Sequence, residues 1–171
     1  RSTSFGVMAR LNRGDVPLPE RFFAGGASSH RGFPENQAGP RDPLTGFPIG
    51  GKALLMNNHE LRFPLIGDNI GGVFFHDAGN VYRNISTISF QVHQKNIEDF
   101  NYMVHAVGFG FRYRTPIGPV RVDLAYSMNS PRFIGLQGTP EQLLDPNLMG
   151  VQIVEQRISR FQFFFSLGQL F

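Results

Sequence analysis

The chain has 171 residues, enough for one domain, and its aromatic content is high, with 18 Phe and 4 Tyr. The absence of cysteine excludes a disulfide framework or a thiolate metal site, and the net charge of +3 comes without a Lys/Arg run, which argues against a nucleic-acid partner. No apolar run approaches the ~20 residues of a membrane helix, and the first 12 residues lack a signal-peptide pattern, so we expect a mature chain or a fragment of a longer one.

Three stretches in the first half of the chain have an irregular alternation that favours strands. They are Ser4–Leu11, Lys52–Phe63 and Gly72–Tyr82. Successive side chains of a strand point to opposite faces. We therefore expect Glu60 and Asp77 to point to the same, polar side from adjacent strands.

The alternation is clearer in the second half, over Val107–Arg114, Val120–Ser127 and Arg160–Phe171. Each of these stretches has one apolar face and one polar or mixed face. Helical periodicity is almost absent. The sequence therefore predicts an all-β, antiparallel fold.

The connections between these strands alternate between short and long. Pro64–Asn69 and Thr115–Pro119 are tight turns rich in Pro and Gly, whereas the connections over about 12–50, 83–101 and 128–156 are long and polar. Long loops are unusual inside a compact soluble domain. Transmembrane β-barrels, by contrast, have short periplasmic turns and long extracellular loops.

Two architectures compete on this pattern. Periodicity alone favours a soluble β-sandwich and a membrane β-barrel about equally. The aromatic ridge of Phe161, Phe163, Phe165 and Phe171 and the asymmetry of the loops favour an antiparallel transmembrane β-barrel in the outer membrane. Six predicted strands are fewer than the roughly 8 of the smallest single-chain barrels, so we expect part of a larger barrel.

Five segments together carry a family resemblance. They are FFAGGASSHRGF at 22–33, NHELRFP at 58–64, FFHDAGNV at 74–81, GFGFRYRTPIGP at 108–119 and FFFSLGQLF at 163–171. In this order and at this spacing they resemble the BamA-type outer-membrane assembly proteins, the bacterial surface-antigen family. The resemblance implies that residues 1–171 are the C-terminal portion of one barrel domain, roughly the last six strands of a barrel of about sixteen.

The resemblance also implies a function and its partners. The family folds and inserts β-barrel proteins into the bacterial outer membrane, so the expected partners are the lipid bilayer, nascent outer-membrane proteins and the accessory lipoproteins of an assembly complex. Alternatives within the superfamily are a two-partner secretion transporter and a translocation-and-assembly transporter. A passive pore and a soluble β-sandwich binding module are further alternatives.

The R-G-F segment suggests a luminal latch, in which the loop over about 12–50 folds into the barrel. The expected members are Arg31, Gly32, Phe33, Glu60 and Asp77. A guanidinium forms bidentate bonds with carboxylates, so we expect Arg31 within ~3 Å of a carboxylate oxygen of Asp77 or Glu60. The simpler interpretation is a solvent-exposed loop arginine and two ordinary strand acids. His30 departs from the family, which usually has an aliphatic residue there.

The last strand, over about 157–171, is expected to carry a C-terminal assembly signal and one side of a lateral gate. The residues involved are Phe163, Phe165, Leu167, Gly168 and Phe171. Gly168 should weaken strand pairing near the end of the chain.

No catalytic or metal-binding pattern is found, so we expect neither an enzyme nor a cofactor. The histidines show no H-x-H or H-x-x-x-H spacing and no zinc site is predicted from them: His30, His59, His76, His93 and His105. No G-x-S-x-G nucleophile elbow is present.

Overall fold

The computed structural model describes residues 1–10, 14–67, 69–116, 118–144 and 150–168. Its main element is one antiparallel sheet of six strands: β1 (Ser2–Val7), β2 (Ala53–Ile66), β3 (Ile70–Tyr82), β4 (Val104–Thr115), β5 (Gly118–Ser127) and β8 (Phe161–Leu167). A separate hairpin consists of β6 (Arg132–Gln137) and β7 (Gln152–Arg157). Among the described residues, none of the helices has both the length and the apolar character needed to cross a membrane.

Strands that follow each other along the chain are neighbours in the sheet as far as β5, whose other neighbour is β8. The register aligns the predicted apolar faces: Phe109 lies opposite Phe74 on one side and Leu124 on the other. Leu124 in turn lies opposite Phe163 of β8. The expected all-β antiparallel arrangement is therefore confirmed, with six strands in the main sheet.

The connection over 128–156 differs from the long loop expected from the sequence. It contains the hairpin of β6 and β7 and a short helix, α1 (Pro140–Leu144). The hairpin packs against the loop over 12–50, where the Leu136 N–H donates to the carbonyl oxygen of Thr45. The last strand of the sheet consequently begins at Phe161, and Arg157, which we had placed in it, belongs to β7.

The two faces of the sheet differ sharply in exposure. Phe74 and Phe163 on the outer face are 57% and 66% exposed, whereas Asp77 on the opposite, inner face is fully buried. An outer-membrane barrel places its apolar residues toward lipid and its polar residues toward the lumen. The outer face is therefore the lipid side and the inner face the luminal side.

The core lies where the loop over 12–50 covers the inner face. Its buried residues come from the loop, from three strands of the sheet and from the chain before β4 and β8: Ala24, Phe33, Ala38, Met56, Val81, Tyr102, Val104 and Ile158. The loop turns sharply at Gly25, whose φ is 121° and whose Cα faces the carbonyl oxygen of Pro34 so closely that a Cβ would lie 2.2 Å from it. This turn allows the following segment, with Arg31, to lie on the inner face.

Candidate functional site

Arg31 is the centre of an ion-pair network on the inner face and is only 3% exposed. Its guanidinium donates to both carboxylate oxygens of Asp77, from Nε to Oδ2 at 2.7 Å and from Nη2 to Oδ1 at 2.7 Å. Nη1 donates to Oε1 of Glu60 at 2.7 Å. The structure thus brings together the three charged residues of the luminal latch, Arg31, Glu60 and Asp77, at the distance expected from the sequence.

Both acids of the luminal latch have further partners. Asn58 Nδ2 donates to Oδ1 of Asp77 at 2.9 Å and also to the carbonyl oxygen of Ser29 in the loop at 2.7 Å. The guanidinium of Arg62 donates to Oε2 of Glu60 at 2.6 Å. Buried charges are tolerated when they are paired and hydrogen-bonded. The network meets this condition for Asp77, which water does not reach.

Asp123 on β5 is a third acid of this network, which sequence reasoning missed. Its carboxylate lies 3.8 Å from Nη1 of Arg31 and accepts a bidentate pair of hydrogen bonds from Arg112 of β4. Arg121 lies 3.6 Å away. Its position on the polar face of β5 was visible in the sequence, but its partners depend on the register of β4 against β5.

Two glycines of β4 leave room for this network. A Cβ at Gly110 would lie 1.9 Å from Oδ1 of Asp123, and a Cβ at Gly108 would lie 2.3 Å from the ring of Phe75. That ring in turn supports the guanidinium of Arg31, which lies over it at 3.5 Å from the centroid. Strand glycines here therefore allow side chains to lie flat across the inner face.

The neighbours of Arg31 in the loop are also closely packed against the sheet. Phe33 is fully buried in the core, and a Cβ at Gly32 would lie 2.8 Å from that of Ala106. His30 is fully buried: its Nε2 lies 3.0 Å from the carbonyl oxygen of Val104, and its Nδ1 accepts from the Gly32 N–H at 3.1 Å. These contacts define a neutral imidazole with its proton on Nε2, and burial lowers the pKa of His30.

The terminal-strand residues lie on a different part of the sheet. Phe163, Phe165 and Leu167 are all more than half exposed on the outer face of β8. Gly168 follows the strand with a φ of 78° and donates its N–H to the carbonyl oxygen of Pro119. Phe171 lies outside the described residues. Within the described part of the chain β8 pairs only with β5, so its other edge is open.

An antiparallel sheet with an apolar outer face and a charged inner face that holds a docked loop defines a transmembrane β-barrel protein. The fold is similar to the crystal structure of BamA from Haemophilus ducreyi lacking POTRA domains 1–3, with a TM-score of 0.55 and 20% identity, over 94% of this chain and 32% of that one. The Omp85 superfamily domain matches residues 1–171, and the chain belongs to the Omp85 superfamily.

Curated relatives agree with this assignment. The chain is 30% identical over 170 residues to the outer membrane protein assembly factor BamA of Nitratidesulfovibrio vulgaris, and 26% identical over 116 residues to that of Neorickettsia risticii. It is 39% identical over 64 residues to a SAM50-like protein of Schizosaccharomyces pombe. These matches cover 99%, 66% and 37% of this chain but only 18%, 14% and 13% of the respective relatives. The chain is thus similar to a small part of each, and as a BamA-type segment it belongs to the bacterial outer membrane.

Proposed function

We propose that the protein containing this segment folds and inserts β-barrel proteins into the bacterial outer membrane, without enzymatic catalysis. The observation that carries the proposal is the luminal latch, in which Arg31 joins the loop over 12–50 to Asp77 and Glu60. Relatives that share this segment are named outer membrane protein assembly factors. The partners we propose are the lipid bilayer, nascent outer-membrane proteins and accessory lipoproteins.

In the proposed mechanism the loop is held on β2 and β3, and the edge strand β8 pairs with the client. The luminal latch and Asn58 hold the loop against β2 and β3, while β8 has an open edge among the described residues. An open strand edge presents unpaired N–H and C=O groups, to which an incoming strand can add. We infer that β8 is one side of a lateral gate, where its edge pairs with the first strand of a client when the gate opens. Its exposed phenylalanines would keep that pair at the lipid face.

The test is complementation with the full-length parent protein. In cells depleted of the wild-type protein, Arg31→Ala should lower the membrane levels of several unrelated β-barrel proteins. Arg83→Ala is the matched control, because Arg83 is an exposed loop arginine at the end of β3. If barrel levels stay normal while one secreted protein disappears from the medium, the protein is a secretion transporter and the proposal is wrong.

A further inference from the structure

Three histidines that are scattered along the sequence lie side by side on the outer face of the sheet. His59 is directly opposite His76 in the pairing of β2 with β3. His105 is opposite Ala78 in the pairing of β3 with β4, which places it diagonally beside His76. Each has the parity of a residue on the lipid side, since Asp77 and Ala106 next to them point inward.

The closest pair is His76 and His105. Nε2 of His76 lies 3.1 Å from Nδ1 of His105, and the two rings are stacked with centroids 5.3 Å apart and an interplanar angle of 17°. The ring of His59 is 6.3 Å from that of His76. His59 is exposed and the other two are half-buried.

The separation of the two nitrogen atoms is close to that of two ligands on one metal ion. Imidazole binds zinc at about 2.0–2.1 Å in tetrahedral geometry, which sets two ligand nitrogens about 3.3 Å apart. To bind one ion, the two nitrogens would have to move about 0.2 Å further apart. Both side chains would also have to rotate, so that each nitrogen points at the ion instead of at the other ring. Neutral imidazoles prefer zinc, copper and nickel among the divalent ions.

We propose that His76 and His105 chelate a divalent transition-metal ion of the zinc class on the lipid side of the barrel. No group of three His, Cys, Asp or Glu side chains in the described part of the chain is already arranged as a metal site. The proposed site is therefore a pair, with water completing the coordination. His59 is the nearest further imidazole to His76, with ring centroids 6.3 Å apart, and would be a third ligand.

The position of the pair in the sheet suits a ligand that comes from the outer surface. Toward the periplasmic turns, the same face carries the exposed rings of Phe74 and Phe109. Toward the long loops, the same face of β3 continues to the buried Asn80, whose side-chain amide donates to the carbonyl oxygens of Phe100 and Tyr102 in the connection before β4. The histidines therefore lie at the border between the lipid-exposed band and the part covered by loops, where water and ions have access.

The test uses the full-length parent protein in detergent micelles, titrated with zinc alone in a calorimeter. Zinc should bind to the wild type, and His76→Gln and His105→Gln should each weaken its affinity by at least about tenfold. His93→Gln is the matched control, because His93 is exposed in a loop, and it should bind zinc as the wild type does. His59→Gln should cause a smaller loss.

A second measurement separates ligand loss from misfolding. Zinc should raise the melting temperature of the wild type and of His93→Gln, because a ligand that binds only the native state stabilises it. It should leave those of His76→Gln and His105→Gln unchanged, although both variants melt cooperatively without metal. Absence of zinc binding by the wild type, or binding by both variants that is as tight as that of the wild type, would overturn the proposal. These outcomes are independent of the assembly function.

Discussion

Arg31 donates to Asp77 three times, twice from its guanidinium and once from its own backbone N–H, which lies 3.0 Å from Oδ2. A single carboxylate thus holds both the side chain and the main chain of the loop. The interaction positions the main chain of the loop as well as the guanidinium of Arg31. An arginine elsewhere in the loop could not reproduce both contacts.

Replacing Arg31 should release the loop. Arg31→Ala removes the partner of Asp77, and we expect a cost below the ~3–5 kcal/mol of breaking a fully buried pair, because water reaches Glu60 in part. Arg31→Lys should recover little, since an ammonium cannot form the bidentate contact. Labelling of a cysteine placed at Ser29 should report release as faster modification. Unchanged labelling in both variants would count against the luminal latch.

Reversing the charges, Arg31→Glu with Asp77→Arg, should restore only part of the loss. The guanidinium and the carboxylate would still attract each other. However, the N–H of residue 31 would lose its acceptor on β3, because an arginine side chain accepts no hydrogen bond. Full restoration in the same labelling assay would show that the main-chain contact with Asp77 contributes nothing.

Adding a methyl group at Gly110 should disturb the ion-pair network at Asp123 and Arg112. The new Cβ would lie 1.9 Å from Oδ1 of Asp123, so Arg112 and Asp123 must move. Overpacking of this kind costs about 1–3 kcal/mol. Gly71→Ala is the control, because its Cβ would meet its nearest neighbour at an ordinary 3.5 Å. Equal unfolding midpoints of the two variants would contradict the prediction.

A charge on the lipid side of β8 should be costly. Phe163→Arg places a guanidinium where the phenyl ring is 66% exposed to lipid, and we expect a loss of about 2–4 kcal/mol in unfolding free energy. Gln162→Arg on the opposite face of the same strand should cost far less. If the two variants unfold at the same denaturant concentration, the assignment of the two faces is wrong.

Docking of the loop should weaken in acid because of His30. Burial lowers its pKa below 6.5 in the docked state, so above pH 6.5 both states are neutral and docking is fully stable. As the pH falls through 6.5 the undocked state takes up a proton first, and the stability of docking decreases. Asp77 and His105 act on His30 in opposite senses, and burial outweighs both. His30→Val should remove the acid sensitivity of labelling at residue 29, whereas a persistent effect would assign it to another group.

Phe171, which the family resemblance places in the C-terminal strand signal, gives a prediction that the described residues do not address. Deleting Phe171 should lower the membrane level of the parent protein. Deleting one residue from the connection over 128–156, outside β6 and β7, should have much less effect. Equal levels of the two deletion variants on immunoblots of isolated outer membranes would argue against a C-terminal signal.

The sequence was sufficient to predict which face of the sheet a strand residue points to. Because side chains alternate strictly, Glu60 was placed on the polar face of its strand. Asp77 was placed on the same face because it is the one acid of a strand that is otherwise apolar on both faces. The R-G-F resemblance then supplied their partner, Arg31. The ends of the strands were less accurate, as the predicted start at Ser4 compared with the observed Ser2 shows.

What the sequence missed depends on register and on loop structure. Asp123 meets Arg112 because β4 and β5 pair so that it lies opposite Gly110, and His76 meets His105 for a similar reason. Register is set by pairing between strands and cannot be read from spacing along one chain. The hairpin of β6 and β7 was missed because its short strands alternate weakly within a polar connection.

The ion-pair network on the inner face has a mechanical consequence. The loop over 12–50 is bonded to β2 and β3, and Asp123 extends the same network to β4 and β5. The network thus links these four strands of the barrel wall, so that a force on the loop is distributed over all four. β8 is joined to these four strands only through its hydrogen bonds to β5. Strain applied to the wall would thus separate β8 from β5, or β1 from β2, before it separates these four strands from one another.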